Sequence, residues 1–376
     1  MKDSTMESTI SDIQLYVENQ IPQIASEKSL LAGSIGESPS KYSRSPGMWN
    51  AVFKKLDFDA AYVPFDVRPE NLSNFVNALK NYPGFMGANV TVPYKLDIMN
   101  LLDSIDITAS QIGAVNTFAL NIDQTLTGFN TDADGLISSM LQRLPGESES
   151  FISTLKGKTV LLLGAGGAGR AAAFAIASQI EEGTLYMTNR SQKRVEDLAY
   201  EVQATVSDST KILAIPAETV HLYMPELDVI VNASTVGQSG IRALTNKSLT
   251  SLEPFSSLSP ANPPEINDQN DALLFWQKWF VLSYPEITLN NQASMQAITS
   301  AKSSAVFVDA VYSPNETVLL RHARLSGRKT LNGRGMLIMQ AASSFVNRMT
   351  RRHLENAGYD PDSLYDFVVE TMSEAF

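Results

Sequence analysis

Residues 158–170 read Lys158-Thr159-Val160-Leu161-Leu162-Leu163-Gly164-Ala165-Gly166-Gly167-Ala168-Gly169-Arg170. The apolar run after Thr159 predicts a buried strand, the glycines predict a tight turn, and the alanine-rich segment 170–180 predicts a helix. The backbone amides at the start of such a helix can hold a pyrophosphate. A plain glycine loop is the alternative, but the strand before it and the helix after it favour a dinucleotide-binding unit.

Short apolar runs on both sides of this unit predict two α/β domains. Downstream strands are predicted at 185–188, 211–214, 228–232 and 306–309, which complete a C-terminal Rossmann-like domain. Upstream, the run 60–67 precedes a helical pattern at 69–79, and 117–120 and 126–129 form a strand pair. This alternation is typical of an N-terminal substrate-binding domain with a mostly parallel sheet.

The same patterns set the expected boundaries. Residues 1–30 are an N-terminal extension, 31–132 and 336–376 form the substrate-binding and catalytic domain, and 133–335 form the dinucleotide-binding domain. An insertion at about 241–304 lacks the strand–helix rhythm, and its aromatic stretch 273–282 packs either on its own domain or on another subunit. Further helices are expected at 133–144, 336–349 and 362–374.

Composition excludes several classes of protein. The net charge of −11 repels nucleic acid, and the chain has no cysteine for disulfides, thiolate nucleophiles or zinc-thiolate sites. The first residues lack the apolar core of a secretory signal, and no membrane span is expected. The three histidines lack metal-site spacing, so we expect no metal. The absence of cysteine fits a reducing compartment, so we expect a cytoplasmic location.

The residues after the second Rossmann strand indicate the cofactor. Thr188-Asn189-Arg190-Ser191-Gln192-Lys193-Arg194 contains three cations and no carboxylate, whereas NAD enzymes place an acidic residue there for the ribose hydroxyl. Arg190 and Arg194 can pair with a 2′-phosphate, and Ser191 can donate a hydrogen bond to it. The alternative is that these cations cover a solvent-facing helix. The pattern favours NADP.

Lys95, in the run Gly87 to Lys95, and Asp132, in Gly128 to Asp132, are the candidate catalytic pair. Hydride reduction of a ketone leaves an alkoxide that needs a proton, and the reverse reaction needs a base. A helix from Lys95 through Leu102 would disfavour the ammonium form of Lys95 at its positive end, while a helix beginning at Ala133 would favour the Asp132 carboxylate. A solvated lysine and an N-cap aspartate are the structural alternatives.

Seven motifs in order resemble those of shikimate dehydrogenases over about residues 31–345, the insertion excepted. They are Ser-x-Ser-Pro-x-x-x-Asn from Ser43, Asn-Val-Thr-x-Pro-x-Lys from Asn89, Gly-Ala-Val-Asn-Thr from Gly113, Gly-x-Asn-Thr-Asp from Gly128, Gly-Ala-Gly-Gly-Ala-Gly from Gly164, Asn-Arg-Ser from Asn189, and Gly-x-Gly-Met-Leu-x-x-Gln from Gly333. Trp49 departs from the family, which usually has histidine there.

The resemblance implies the remaining site residues. Ser43 and Ser45 would bind the substrate carboxylate, and Lys95 and Asp132 would be catalytic. The ring hydroxyls would be held by Asn89, Thr91, Asn116, Asp132 and Gln340, and Tyr312 would line the site. The cofactor would contact Gly164, Ala165, Gly166, Gly167, Ala168, Gly169, Asn189, Arg190, Ser191, Arg194, Ala310 and Gly333, the last two at its nicotinamide end.

The implied activity is an NADP-dependent shikimate dehydrogenase of aromatic amino acid biosynthesis, with shikimate and 3-dehydroshikimate as small-molecule substrates, acting as a monomer or homodimer. Quinate dehydrogenase is one alternative, and a non-catalytic regulator that senses quinate or shikimate is another. The two serines and Arg190 favour shikimate over quinate. Lys95, Asp132 and the absence of a basic DNA-reading helix favour an enzyme over a regulator.

Overall fold

The computed structural model describes residues 8–244, 246–267 and 272–376. Its strands are β1 (Leu30–Gly36), β2 (Ala60–Asp66), β3 (Phe85–Val90), β4 (Ser104–Ile105), β5 (Thr117–Leu120), β6 (Leu126–Phe129), β7 (Thr159–Leu163), β8 (Thr184–Thr188), β9 (Lys211–Ala214), β10 (Val229–Asn232), β11 (Arg242–Ala243), β12 (Leu249–Thr250), β13 (Val306–Asp309) and β14 (Lys329–Leu331).

The helices include short 3-10 segments at Pro69–Asn71, Asp97–Leu101, Ala217–Thr219 and Met224–Glu226, and a π-helical turn at Phe345–Met349. The α-helices are α1 (Ile10–Gln14), α2 (Ile24–Glu27), α3 (Pro39–Tyr42), α4 (Ser45–Lys55), α5 (Leu72–Lys80), α6 (Ile107–Ile112), α7 (Asp132–Leu141), α8 (Gly167–Ala177), α9 (Gln192–Gln203), α10 (Val220–Tyr223), α11 (Ala272–Ser300), α12 (Val318–Leu325), α13 (Gly333–Ser344), α14 (Arg351–Asn356) and α15 (Pro361–Ala375).

The chain divides into two units. Unit 1 comprises residues 1–138, 144–148 and 337–376, and unit 2 comprises 139–143 and 149–336. The predicted fold class, two α/β units, is confirmed. Among the described residues, no helix is long and apolar enough to cross a membrane.

The sheet of unit 1 has the strand order β2-β1-β3-β5-β6-β4. Strands β1, β2 and β3 are parallel, β5 is antiparallel to both β3 and β6, and β4 pairs with β6 in parallel. The carboxyl ends of β3 and β6 and the amino end of β5 therefore share one edge of the sheet. This edge is where the residues after β3, before β5 and after β6 come together.

The sheet of unit 2 is wholly parallel, in the order β14-β13-β10-β7-β8-β9. When the six strands of unit 2 are renumbered in chain order, their order in the sheet is that of the doubly wound dinucleotide-binding fold. The topological switch lies between β7 and β10. Strands β7, β9 and β13 have the predicted bounds. Helix α8 begins at Gly167 rather than Arg170, because the last glycines of the turn form its first turn.

Residues 8–28 lie along the outer strand of unit 1. Val17 bridges Val67, and the Asn19 side chain accepts a hydrogen bond from the Asp66 amide at 2.7 Å. Ile13 and Ala25 are fully buried in the core of unit 1. The described part of the expected N-terminal extension is thus a structural part of unit 1, while residues 1–7 lie outside the described residues.

The region expected as an insertion contains the β11–β12 pair and the long helix α11. The loop between β12 and α11 is tied to α11 by side chains. Asn290 accepts from the Ser256 amide at 2.7 Å and donates to the Ser256 carbonyl at 3.0 Å, and Trp279 Nε1 donates to the Pro264 carbonyl at 2.9 Å. Residues 245 and 268–271 of this region lie outside the described residues.

We expect Ile13→Ala to lower the free energy of unfolding by about 2–5 kcal/mol, since it removes most of a fully buried side chain from the unit 1 core. The matched control is Leu15→Ala, because Leu15 lies two residues away and is 75% exposed; its effect should stay within about 0.5 kcal/mol. Urea unfolding of both variants measures the difference. Equal stability of the two variants would show that α1 is not part of the core.

Candidate active site

Lys95 and Asp132 meet at the shared edge of the unit 1 sheet. Lys95 Nζ lies 2.6 Å from Asp132 Oδ2, and the two side chains are 22% and 12% exposed. This degree of exposure leaves the ammonium accessible to a small solute, whereas a fully buried ion pair would not be. The structure therefore brings together the amine and the carboxylate predicted as the catalytic pair.

Three hydrogen bonds fix the Asp132 carboxylate and its backbone. Asp132 begins α7, and its amide donates to Asn130 Oδ1 at 3.1 Å. Asn130 is itself anchored through Nδ2 to the Ala114 carbonyl at 3.0 Å. Asn116 Nδ2 donates to Asp132 Oδ1 at 2.9 Å. Both carboxylate oxygens are thus engaged, one by Asn116 and one by Lys95, and the carboxylate has one orientation.

The helix expected from Lys95 to Leu102 is wrong. Lys95 lies in a turn, and only a 3-10 helix at Asp97–Leu101 follows it. The Lys95 carbonyl accepts from the Val115 amide at 2.8 Å, and the Met99 amide, which an α-helix would direct to Lys95, donates to the Leu96 carbonyl at 3.2 Å instead. The helix-dipole argument therefore does not apply to Lys95, and the carboxylate of Asp132 is its demonstrated electrostatic partner.

A polar network extends from this pair into the sheet. Asn116 Oδ1 accepts from the Thr131 amide at 2.8 Å, and Thr131 Oγ1 donates to Gln340 Oε1 at 3.1 Å. Gln340 Oε1 also accepts from Asn116 Nδ2 at 3.4 Å. Counted as whole residues, Asn116, Asp132 and Gln340 are each less than a tenth exposed. Three residues predicted from separate motifs therefore form one cluster with Lys95.

Asn89, at the end of β3, belongs to the same edge. Its Nδ2 donates to Thr117 Oγ1 at 2.8 Å and to Ser344 Oγ at 2.9 Å, and its Oδ1 accepts from the Tyr62 hydroxyl at 2.8 Å. Burial raises the pKa of Tyr62, so its phenol stays protonated and acts as a donor. The Asn89 amide is therefore held in one orientation.

Tyr62, Thr117, Thr131 and Ser344 were not assigned a role from the sequence. Ser344 lies four residues after Gln340 on α13, a spacing that places both on one helix face. This spacing could have found Ser344. No local pattern distinguishes Tyr62 from the apolar residues beside it in β2, because its contact with Asn89 depends on the pairing of β1 with both β2 and β3.

The predicted carboxylate-binding serines lie where the chain leaves α3 and enters α4. Ser43 Oγ accepts from the Ser45 amide at 3.3 Å, and Ser45 lies beside the Tyr62 hydroxyl. Both serines are partly exposed. The Thr91 hydroxyl, which follows β3, has no hydrogen-bond partner within the described residues and is also partly exposed. These hydroxyls can each donate to a ligand.

Trp49 is a core residue of unit 1. It is fully buried, with its ring centroid 4.7 Å from that of Tyr62 and 5.0 Å from that of Phe345. Trp49, which stands where the resembled family usually has histidine, therefore packs behind Tyr62 and presents no polar group to a ligand.

Two glycines of the unit 2 turn, Gly164 and Gly169, are required on steric grounds. Gly164 has φ of +108°, a left-handed conformation that L side chains rarely adopt. A Cβ at Gly169 would lie 2.2 Å from the Gly164 carbonyl oxygen, so only glycine lets α8 pack this close. A Cβ at Gly166 would meet nothing within 4 Å. This open space lies at the N-terminus of α8, where proteins of this fold class hold the pyrophosphate of a dinucleotide.

Two cations at the start of α9 have no carboxylate partner in the part of the chain that the structure describes. These are Arg190 and Arg194, both exposed. Lys193, by contrast, pairs with Asp197 at 3.0 Å. Cations are disfavoured at a helix N-terminus unless an anion binds there. Asn189 lies beside them, and its Oδ1 accepts a hydrogen bond from the Ala165 amide at 3.3 Å. This hydrogen bond joins the end of β8 to the glycine turn.

The end of β13 is held by a buried carboxylate. Asp309 accepts from Asn232 Nδ2 and the Val311 amide at 2.9 Å, and from Thr317 Oγ1 at 2.7 Å. Beyond it, a Cβ at Gly333 would lie 2.1 Å from the Ala310 carbonyl oxygen, so the two residues predicted at the nicotinamide end adjoin each other. Tyr312 follows in the same loop of unit 2.

Within the described ranges, no group of three or more histidine, aspartate and glutamate side chains could hold a metal ion. His322 lies on α12 with Nδ1 3.1 Å from Ser294 Oγ, and burial lowers the pKa of its imidazole. It therefore packs between α11 and α12 as a neutral residue.

The parallel sheet with its glycine turn, together with a lysine–aspartate pair in a separate α/β unit, defines the class of two-domain nicotinamide-nucleotide dehydrogenases. The sequence profile of the shikimate dehydrogenase substrate binding domain matches residues 35–118, and that of Shikimate / quinate 5-dehydrogenase matches residues 147–272. The chain belongs to the shikimate dehydrogenase family, and the resemblance seen in its motifs is confirmed.

Relatives cover most of the chain. The shikimate dehydrogenase (NADP(+)) of Methanococcus vannielii is 33% identical over 321 residues, which are 85% of this chain and 90% of that protein. A crystal structure of a shikimate dehydrogenase in complex with NADP+ has 28% identity and a TM-score of 0.65, covering 95% of this chain and 97% of that one. The Thermus thermophilus enzyme in complex with NADP(H) and shikimate has 26% identity and a TM-score of 0.61, covering 92% and 100%.

Asp309 should make unit 2 less stable as the pH rises. Burial raises its pKa from 3.8 to about 7, so the folded state holds a proton that the unfolded state releases. Asp309 therefore lowers the free energy of unfolding progressively as the pH rises from 3.8 to 7, and its contribution is constant above pH 7. Urea unfolding between about pH 5.5 and 8.5 should show a loss of up to about 1.4 kcal/mol per pH unit below pH 7.

Asp309→Asn should remove this slope. Asp123→Asn is the control, because hydrogen bonds from Thr125 lower the pKa of that exposed carboxyl and it does not titrate in this range. An unchanged slope in Asp309→Asn would show that the buried carboxyl is not its source.

Proposed function

We propose that this chain is an NADP-dependent shikimate dehydrogenase that interconverts 3-dehydroshikimate and shikimate. The observation that carries the proposal is the Lys95–Asp132 pair at 2.6 Å, set among Asn89, Asn116 and Gln340 at one sheet edge. A ring that bears several hydroxyls needs several fixed amides and hydroxyls to orient it. The membership of the shikimate dehydrogenase family supports the same activity.

The proposed division of labour follows the two units. Unit 1, which includes residues 31–132 and 337–376, binds the substrate, with Ser43 and Ser45 donating to its carboxylate. Unit 2 binds NADP through the turn Gly164 to Gly169, with Arg190 and Arg194 at the 2′-phosphate and Ala310 and Gly333 at the nicotinamide end. Tyr312, in the Ala310 loop, would contact the substrate. A cytoplasmic location would suit this cysteine-free chain.

NADP, when bound, accepts or supplies the hydride. Lys95 exchanges the proton of the hydroxyl that is oxidised: its neutral amine takes this proton in the direction of oxidation, and its ammonium returns it to the alkoxide in reduction. Asp132 accepts a hydrogen bond from Lys95 Nζ through Oδ2 and so keeps the amine directed at this position. Asn116 holds the other carboxylate oxygen, so Asp132 does not rotate away as the charge on Lys95 changes.

Quinate is the second candidate substrate, because one of the matching profiles describes both activities. Quinate carries an additional hydroxyl on the carbon that bears its carboxylate. Discrimination would therefore fall to the residues around that carboxylate, Ser43 and Ser45. A regulator that only senses such ligands would bind them without turnover.

An assay of the purified chain separates these candidates. Shikimate and quinate are each supplied with NADP or NAD, and formation of the reduced nicotinamide is followed by its absorbance. We expect the highest kcat/KM with shikimate and NADP. A higher kcat/KM with quinate would instead assign the sister activity, and binding of shikimate without turnover in any combination would favour the regulator.

Lys95→Ala should lower kcat by about a hundredfold or more, because it removes the proton carrier. The affinity for NADP should remain nearly unchanged, since Lys95 belongs to unit 1. Lys80→Ala is the matched control, because Lys80 pairs with Asp103 at 2.8 Å on the surface of the same unit. Steady-state kinetics and NADP titration measure both quantities. Turnover in Lys95→Ala equal to that of the control would remove Lys95 from the mechanism.

A further inference from the structure

The loop between β10 and β11 runs along the carboxyl edge of the unit 2 sheet and contacts both of its neighbours there. A Cβ at Gly164 would lie 2.9 Å from the Ser234 amide nitrogen, so the start of the loop adjoins the glycine turn. Further along, Ser239 donates its amide to the Ser313 carbonyl at 2.9 Å, and the hydroxyls of these two serines are also 2.9 Å apart. The loop therefore extends from the glycine turn to the segment that follows Ala310, the proposed nicotinamide end.

Arg242, the first residue of β11, holds this loop through its guanidinium. Its Nη1 donates to Thr235 Oγ1 at 2.6 Å, and its Nη2 donates to Gln238 Oε1 at 2.9 Å. The side chain is partly buried, which lowers the pKa of Arg242, but a guanidinium stays charged at neutral pH. No carboxylate pairs with Arg242 in the part of the chain that the structure describes. The loop therefore adjoins a guanidinium whose charge is held by neutral groups.

The two side chains that contact Arg242 both turn an acceptor toward it. Because the Gln238 oxygen faces the guanidinium, the hydrogens on its Nε2 remain, and within the described residues they make no hydrogen bond. Thr235 Oγ1 likewise accepts from Arg242, so its own hydroxyl proton is left to donate elsewhere. This loop can therefore offer hydrogen-bond donors to a ligand, and a positive charge lies next to them.

Two carboxyl groups lie near this loop, and neither forms an ion pair with Arg242. Glu253 accepts a hydrogen bond from the Gly240 amide at 3.1 Å. Asp309 is held by hydrogen bonds from within unit 2, and burial raises its pKa to about 7, so below this pH it is mostly neutral. Among the described residues, Gln238 contacts no charged group other than Arg242. Arg242 therefore sets the charge beside Gln238.

We propose that Arg242, together with Gln238, makes unit 2 bind NADPH more tightly than NADP+. The nicotinamide ring of NADP+ carries a positive charge, whereas the reduced ring is neutral. A cation beside the proposed nicotinamide end therefore weakens the binding of the oxidised form more than that of the reduced form. Unit 2 then holds the reduced cofactor when both forms are present, ready for the reduction of a ketone. This preference rests on the proposed placement of NADP, and it concerns binding and not turnover.

Calorimetric titration of the full chain with each form of the cofactor, without substrate, gives the two dissociation constants. At about pH 6 the Asp309 carboxyl keeps its proton and adds no charge of its own. We expect Arg242→Gln to lower the ratio of the NADP+ constant to the NADPH constant about fivefold or more, because a unit charge near the ring is removed. Arg242→Lys keeps the charge and should keep most of the preference for NADPH.

Lys211→Gln is the matched control, because it also removes one positive charge from unit 2, and Lys211 lies exposed at the start of β9, at the amino edge of the sheet. Its ratio should equal that of the wild type. An unchanged ratio in Arg242→Gln would overturn the proposal. Equal weakening of both forms would do so too, because it would identify a phosphate contact instead. Since no substrate is present, these constants depend neither on Lys95 nor on the choice between shikimate and quinate, so failure of the proposed activity would be seen separately.

Discussion

The side-chain amide of Asn116 is the interaction on which the candidate site depends. Its oxygen accepts from the Thr131 amide and its nitrogen donates to Asp132. These two bonds tie the amino end of β5 to the start of α7, across the β5–β6 hairpin. Without them the Asp132 carboxylate would keep its helix position but not its orientation, and the ammonium of Lys95 would have no fixed partner.

The sequence predicted the structure best at positions where a residue type is required by both the backbone geometry and the chemistry of the site. The glycines at Gly164 and Gly169 are required by a positive φ and by a close approach of helix to strand, so their spacing predicted both the fold and its ligand. The order of the motifs predicted Lys95 and Asp132 as partners. Local patterns also placed β7, β9 and β13 correctly, because each is a short apolar run bounded by turn residues.

Features that depend on long-range pairing escaped prediction. Tyr62 lies on β2 and Asn89 on β3, and their hydrogen bond crosses the intervening strand β1. The residues around Tyr62 in the sequence do not indicate this strand order. The helix expected at Lys95 is absent, and the Val115 amide, twenty residues later, donates to the Lys95 carbonyl. Helices α1 and α2 have only five and four residues, too short for local periodicity to indicate that Ile13 and Ala25 enter a core built by other segments.

The hydrogen bonds that Asn89 already makes would limit its contact with a proposed substrate. Both hydrogens of its amide are used by Thr117 and Ser344, and its oxygen accepts from Tyr62, so that one lone pair remains. At this position the protein can only receive a proton-bearing group. A ring substituent with an O–H satisfies it, while a ketone, an ether or a methylated oxygen would place two acceptors face to face. In the proposed substrate complex, the polarity of this one contact would restrict how the ring can turn.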